Sequence, residues 1–297
     1  MFRLLVLLGL LSLESHVHAE IVQGDNNLKI LSVHHTRHPL DKEIRDSLTL
    51  VSLNTAHGRG LSLNQLLVNR LKTQSNLGHI ANFLIQVEGD IVGLQEADMP
   101  SYWSGNFNHV EFLADRGEYP QFIHAPHADI KIGNYGTAIM SRLNIQAGYG
   151  LTFSPSPPTT NKGFTYAEIG WRTKKGVIPI AVISVHLDFS RESVREQQLR
   201  EIRETLSAVN IPVIVMGDFN SELLARQLTS GPEGNPLSLH THYDSAKDLS
   251  TYKDKRLDWI LLSSDFVFNS YHVSPVKLSD HLAVIATVSL TSIMDDK

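Results

Sequence analysis

A succession of short apolar runs, each ending in a polar side chain that a core would reject, constrains this chain more than any other feature. "SLTLVSL" (47–53) runs into Asn54, "DIVGLQ" into Glu96, "AVISV" into His186 and "VIVMG" into Asp218, with Asn220 two residues on. Asp258 lies inside "RLDWILL", and Asp280-His281 directly precedes "LAVIATV". Runs of this length, rich in β-branched residues, read as strands. "TYAEIGWRT" and "VIPIAVISVHLDF" read as neighbouring strands with Lys174-Lys175-Gly176 as their turn, and "YGTAIMSR" alternates polar and apolar residues. Helical spacing appears from Leu63, Leu66 and Leu67 to Ile80, Phe83, Leu84 and Val87. It appears again over 191–209, with Val194, Leu199, Ile202, Leu206 and Val209 on one face. About ten strands joined by both hairpins and helices favour an α/β fold with a mixed sheet, or two packed sheets flanked by helices.

The 297 residues, 42% of them hydrophobic, suffice for a sizeable core. No composition break divides them, so one domain is expected over 47–297, preceded by a lead-in segment over 20–46. The first nineteen residues differ: Arg3, the apolar "LLVLLGLLSL" and a polar stretch ending in Ala19 have the order of a signal peptide. Roughly ten apolar residues are too few to span a bilayer, and no later run is as apolar. The expectation is an exported chain, periplasmic or secreted, that starts near Glu20 and has no integral membrane span. Cysteine is absent, which excludes disulfides and cysteine-ligated zinc. A net charge of −5 lacks the global basic field that most nucleic-acid binders use. "SPSPPTT" (154–160) reads as a surface loop.

Taken singly, an Asp or Asn at a strand end is an ordinary turn former, and an Asp-His pair an ordinary local hydrogen bond. Together they are harder to dismiss, because a buried, unpaired carboxylate costs several kcal/mol and each needs a partner or a metal. The chain has no Gly-rich phosphate loop and no serine elbow. Carboxylates, amides and imidazoles that converge in this way suit a hard cation with oxygen ligands, supported by histidine acid–base chemistry.

"LNTAHG", "GLQEAD", "YGTAIMSR", "ISVHLDF", "MGDFNSE", "RLDWILLS" and "LSDHLAVIATV" follow one another in this order from about Ser47 to Leu290. The series resembles the endonuclease/exonuclease/phosphatase superfamily, which includes pancreatic-type deoxyribonucleases, abasic-site endonucleases, neutral sphingomyelinases and inositol-polyphosphate 5-phosphatases. The resemblance implies a four-layer αββα sandwich, with two mixed β-sheets face to face and helices outside. It implies a divalent-metal-dependent phosphoesterase using Mg²⁺, with Mn²⁺ as an alternative. Glu96 is then the principal metal ligand, with Asn54 close by and Asp280 beside the metal. Asp218 orients or deprotonates the attacking water, and Asn220 holds phosphate or nucleophile. His186 donates to a phosphate oxygen, and His281, oriented by Asp258, does so in the transition state. Where some members carry an acid two residues after the first asparagine, this chain has Ala56 and then His57, which speaks against a second metal held by that acid. His57, Arg59 and His127 are candidates for substrate contact, while Lys162 and Arg142 read as solvated charges.

Three readings of the partner follow: a lipid head group or small phosphate ester, a nucleic acid cut by an exported nuclease, or a ligand of a module that has lost its chemistry. Every matched position keeps a competent side chain, which disfavours the third. The acidic balance and the lack of an aromatic-plus-basic stripe favour the first over the second. No obligate protein partner is evident.

Overall fold

The computed structural model describes residues 28–223, 228, 239–242 and 248–291. The expected signal peptide lies outside the described residues. After two short strands, β1 (Leu28–Ile30) and β2 (His34–His35), the parallel pair β3 (Leu48–Asn54) and β4 (Ile91–Asp98) is joined through α1 (Arg70–Gln86). α2 (His109–Arg116) precedes β5 (Gln121–Ile130), β6 (Gly133–Ser141), β7 (Asn144–Thr152), β8 (Gly163–Thr173) and β9 (Gly176–His186). α3 (Glu192–Ser207) then connects β9 to a parallel β10 (Val213–Asp218). β11 (Asp258–Leu262), β12 (Phe266–Val273) and β13 (Val284–Leu290) follow. One sheet has the order β1-β7-β8-β9-β10-β11 and the other β12-β13-β3-β4-β6-β5-β2.

The layers follow from period-two alternation within each strand. Leu48, Leu50, Ile91 and Ile139 of the seven-stranded sheet meet Ile180, Val182, Ile214, Met216 and Ile260 of the six-stranded one. Their alternates face outward. Val51, Leu53, Val92 and Leu94 pack under Leu77, Ile80 and Leu84 of α1 and Val110 and Leu113 of α2. Ile183, Val185, Val215 and Leu261 pack under Leu199, Ile202 and Leu206 of α3. Each such side chain contributes roughly 1.5–3 kcal/mol when fully buried. The result is the expected four-layer sandwich.

The same alternation positions the polar strand ends. Asn54 follows Leu48 and Leu50 at even spacing, as Asp218 follows Ile214 and Met216, and His186 follows Ile180 and Val182. All three therefore share the inter-sheet face, and they cap one end of the apolar core. Two hydrogen bonds through Ser184 tie the sheets just below them: Gln95 Nε2 donates to Ser184 Oγ (3.1 Å), and Ser184 Oγ donates to the Leu94 carbonyl (3.0 Å).

Two sequence expectations, on the first leucines and on Arg142, are corrected. Leu63, Leu66 and Leu67 do not belong to a buried helix face; they precede α1 and are 99, 71 and 78% exposed. Two asparagines break the apparent period. Asn64 Oδ1 accepts from the Leu66 amide and Asn69 Oδ1 from the Lys72 amide, the latter capping α1 at its N-terminus. Within the described residues of the lead-in segment, β1 adds an edge strand on β7 and β2 one on β5. Arg142 is not a freely solvated charge, since its Nε donates to the Gly89 carbonyl (3.0 Å) and its guanidinium lies over the Tyr119 ring.

Candidate active site

Both sheets contribute to one polar cluster. From the six-stranded sheet come His186 at the end of β9, Asp218 at the end of β10 and Asp258 at the start of β11, paired edge to edge in register. From the other come Asn54 and Glu96. Asn54 Nδ2 donates to Asp218 Oδ2 across the cleft (3.0 Å), while its Oδ1 accepts from the Ala56 amide (3.0 Å).

Glu96 owes its direction to a break in the ladder. Plain alternation would put it with Val92 and Leu94 under the helices. Instead the β4–β6 register shifts between Leu94 and Ala97, and Glu96 adopts φ 49°, a left-handed value that costs energy in a residue other than glycine. A bulge of this kind re-aims a side chain. The Glu96 carboxylate consequently stands 3.4 Å from His57 Nε2 and 3.9 Å from His186 Nε2. Burial raises its pKa, but His57, His186 and Lys162 more than offset that and hold it down at about 2.

His281, in the turn before β13, presents Nδ1 to Asp258 Oδ2 at 2.8 Å and Nε2 to Asp218 Oδ2 at 3.8 Å. Burial disfavours its charge, yet the attraction and hydrogen bond of Asp258 overcome this and raise its pKa to about 10. Asp218 moves the other way from an exposed acid: burial first, then the neighbouring Asp258, pushes its carboxyl well above the usual range. His186 is held neutral, because burial and then the Lys162 ammonium lower its pKa far below that of a free imidazole. Asn220, with φ 49°, donates its amide N–H to Asp218 Oδ1 (2.9 Å) and Nδ2–H to the Leu187 carbonyl (3.0 Å).

Of the eight residues expected in the centre, seven converge here, and Asp280 sits at the rim, paired with Arg59 Nη2 at 2.6 Å. His57 lines the Glu96 side, with Nδ1 2.7 Å from Asp98 Oδ1. Its pKa is raised: burial opposes the charge, but Glu96 and Asp98 prevail. His127 is corrected. It is buried between the sheets with Nδ1 on Thr152 Oγ1 (3.1 Å) and Nε2 on Thr137 Oγ1 (2.9 Å), and burial lowers its pKa to about 3. No ring nitrogen is left for a substrate.

Lys162, read from the sequence as a solvated charge, is corrected as well. Its side chain is buried, with Nζ 3.4 Å from His186 Nδ1 and 5.9 Å from the centre of the Tyr135 ring. Burial lowers its pKa, opposed by Glu96 and Asp218. An ammonium on Nδ1 leaves the His186 proton on Nε2, which faces Glu96 and Asp218. The chain is held closely at the next residue, Gly163, where a Cβ would lie 2.1 Å from the Leu151 carbonyl oxygen. Such a tight approach marks an ordered strand start rather than a mobile loop.

The donors fit a hard cation. Ligand atoms of Asp218, Asp258 and His281 lie within 4.8 Å of one another, close enough to hold a metal ion. Asp258 Oδ1 is buried without a hydrogen-bond partner, and the Asp218 carboxylate lies in the same group. Carboxylate oxygens in excess of their partners are what a hard divalent ion binds.

The family model described as "Endonuclease/Exonuclease/phosphatase family" matches residues 51–281. A solved endonuclease/exonuclease/phosphatase from Bacteroides vulgatus superposes with a TM-score of 0.63 at 18% identity, over 83% of this chain and 100% of that one. A family protein from Leptotrichia buccalis gives 0.62 at 16% identity, over 82% and 100%. The human nocturnin catalytic domain, solved with bound sulfate, gives 0.60 at 19% identity, over 88% and 98%. No curated protein sequence matches significantly. With a matching model over most of its length and the two-sheet sandwich to go with it, the chain belongs to the endonuclease/exonuclease/phosphatase family.

Proposed function

We propose that this chain is a divalent-metal-dependent phosphoesterase acting outside the cytoplasm after removal of residues 1–19. The observation that carries the reading is the convergence of Glu96, Asp218, His186 and the His281–Asp258 pair on one end of the inter-sheet cleft. Family members are phosphoric ester hydrolases, which supports the reaction class. Glu96, with Asn54 beside it, is the best candidate to hold the cation. Asp258 Oδ1, buried without a hydrogen-bond partner, is a further oxygen ligand in the cluster, whereas the His281 imidazole is committed to its 2.8 Å hydrogen bond with Asp258 and serves as a donor. When bound, Mg²⁺ or Mn²⁺ supplies positive charge for phosphoryl oxygens.

The protein groups divide the remaining work. Asp218, with its raised pKa, is matched to accept a proton from an attacking water near neutral pH. Asn220 is pinned by Asp218 and Leu187 and holds phosphate or nucleophile. Neutral His186 donates Nε2–H, with Lys162 behind it. Protonated His281 donates Nε2–H to a phosphoryl oxygen as charge develops, held in place by Asp258. His57 and Arg59 stand at the rim for substrate contact, and Asp280 there holds Arg59.

The experiment is a panel: purified protein with Mg²⁺ or Mn²⁺ on bis-p-nitrophenyl phosphate, plasmid DNA, RNA, sphingomyelin and phosphatidylinositol phosphates. Metal-dependent release of phosphate ester products, lost in Asp218→Asn, is expected. No hydrolysis of any member would refute the proposal, and cleavage of nucleic acid alone would replace it by the nuclease reading.

A further inference from the structure

Between β3 and α1 the chain folds with its ordinary polarity inverted. Gln65 and Val68 are buried, Gln65 Nε2 donating to the Trp103 carbonyl (3.2 Å), while the leucines point out. Leu61, Leu63, Leu66, Leu67 and Leu71 are 61–99% exposed. They make up five of the thirteen exposed large hydrophobic residues among those described. Tyr102, 84% exposed, adds an aromatic ring from the short turn over 102–104, which packs against residues 65–67. Asn64 and Asn69 cap the turns that hold this loop, so the leucines are presented by built structure. An exposed apolar cluster of this kind marks an interaction site.

Charge says what covers it. From Thr55 to Val87 there is no Asp or Glu, although the chain as a whole is at −5. Of the cations in that stretch Arg59 is paired with Asp280, while Arg70 and Lys72 are exposed. A second copy packed on this face would set the same cations against each other. Aliphatic tips, an exposed tyrosine and the two exposed cations of a segment that carries no acid of its own instead complement an anionic lipid surface, where leucines enter the acyl boundary and Arg70 and Lys72 meet the phosphates.

The loop also adjoins the catalytic end. Its first residues are His57, beside Glu96, and Arg59, on Asp280. Gln65 reaches Trp103, whose Nε1 donates to Asp98 Oδ2 (2.7 Å), the partner of His57. We propose that the leucine loop docks the protein on anionic lipid bilayers, holding the cleft at the head-group layer. If the phosphoesterase reading is right, on which this last step rests, the substrate is the phosphate ester of a lipid head group.

The test uses the full chain and vesicles of phosphatidylcholine with about a third phosphatidylglycerol. Leu63→Trp should show a blue-shifted emission on these vesicles, beyond that of wild type, and quenching by brominated phosphatidylcholine. Combined Leu63→Ser, Leu66→Ser and Leu67→Ser should lower vesicle partitioning roughly tenfold or more, with hydrolysis of soluble bis-p-nitrophenyl phosphate unchanged. Three results would each overturn the docking proposal: vesicle-bound Leu63→Trp protein quenched no more than wild type, wild-type partitioning of the triple variant, or a dimer that the triple variant dissolves. If wild type binds vesicles through the loop but hydrolyses no phosphate ester, docking stands and the phosphoesterase reading falls.

Discussion

Asp258, by its charge and then by its hydrogen bond, does most to hold the His281 imidazole protonated. With its pKa raised to about 10, His281 is charged throughout the neutral range. His281→Ala should lower turnover about a hundredfold or more, the usual loss for one preorganised donor, with the fold retained. Asp258→Asn should cost less, since the imidazole remains, and the two losses should be markedly non-additive because the pair acts as a unit. The alkaline limb of the rate profile should then fall toward pH 10. A limb near 6.5, the ordinary value, would show that Asp258 does not hold the charge. The linked stability has the same sign: a raised folded pKa stabilises fully below the unfolded value of 6.5 and is lost as pH climbs to about 10. Urea titrations of wild type and His281→Asn should therefore converge across that interval. Glu96 works in the opposite window, stabilising above its ordinary 4.5 and losing that contribution as pH falls toward 2.

At the level of strands, the close approach of β9 and β10 sets where Asp218 points. Gly217 has φ 146°, and a Cβ there would lie 2.0 Å from the Val185 carbonyl oxygen. Gly217→Ala should cost about 3 kcal/mol or more in urea unfolding and depress turnover by displacing Asp218; unchanged stability would contradict the observed packing. Strand ends such as Asn54, His186 and Asp218 were legible in the sequence because alternation ties each to the apolar residues before it. Glu96 was legible as a site residue but not its direction, since a bulge depends on the partner strand. Lys162 was not legible: a lysine behind a proline-rich stretch has no period to show which way it faces. The leucine loop misled for the converse reason, because apolar spacing records amphipathicity and not which side meets water. Edge strands of two or three residues carry too little pattern to be seen.

Across the whole molecule, the candidate centre exists only where the two sheets face each other, so ordering the site and folding the sandwich are one event. A cation bound to the native cluster alone should raise the melting temperature with concentration, and Glu96→Gln should suppress that rise. No helix among the described residues is long and apolar enough to cross a membrane, and the proposal of export predicts a mature N-terminus at or near Glu20. Intact Met1 in a cytosolic fraction would contradict it. The measurement that bears most directly on metal-dependent phosphoester hydrolysis is the rate of bis-p-nitrophenyl phosphate cleavage as Mg²⁺ is titrated into metal-stripped protein. Wild type should go from inactive to a saturating rate, and Glu96→Gln should require at least about tenfold more Mg²⁺ or stay inactive. A wild-type rate indifferent to Mg²⁺, Mn²⁺ and chelator would contradict the assignment.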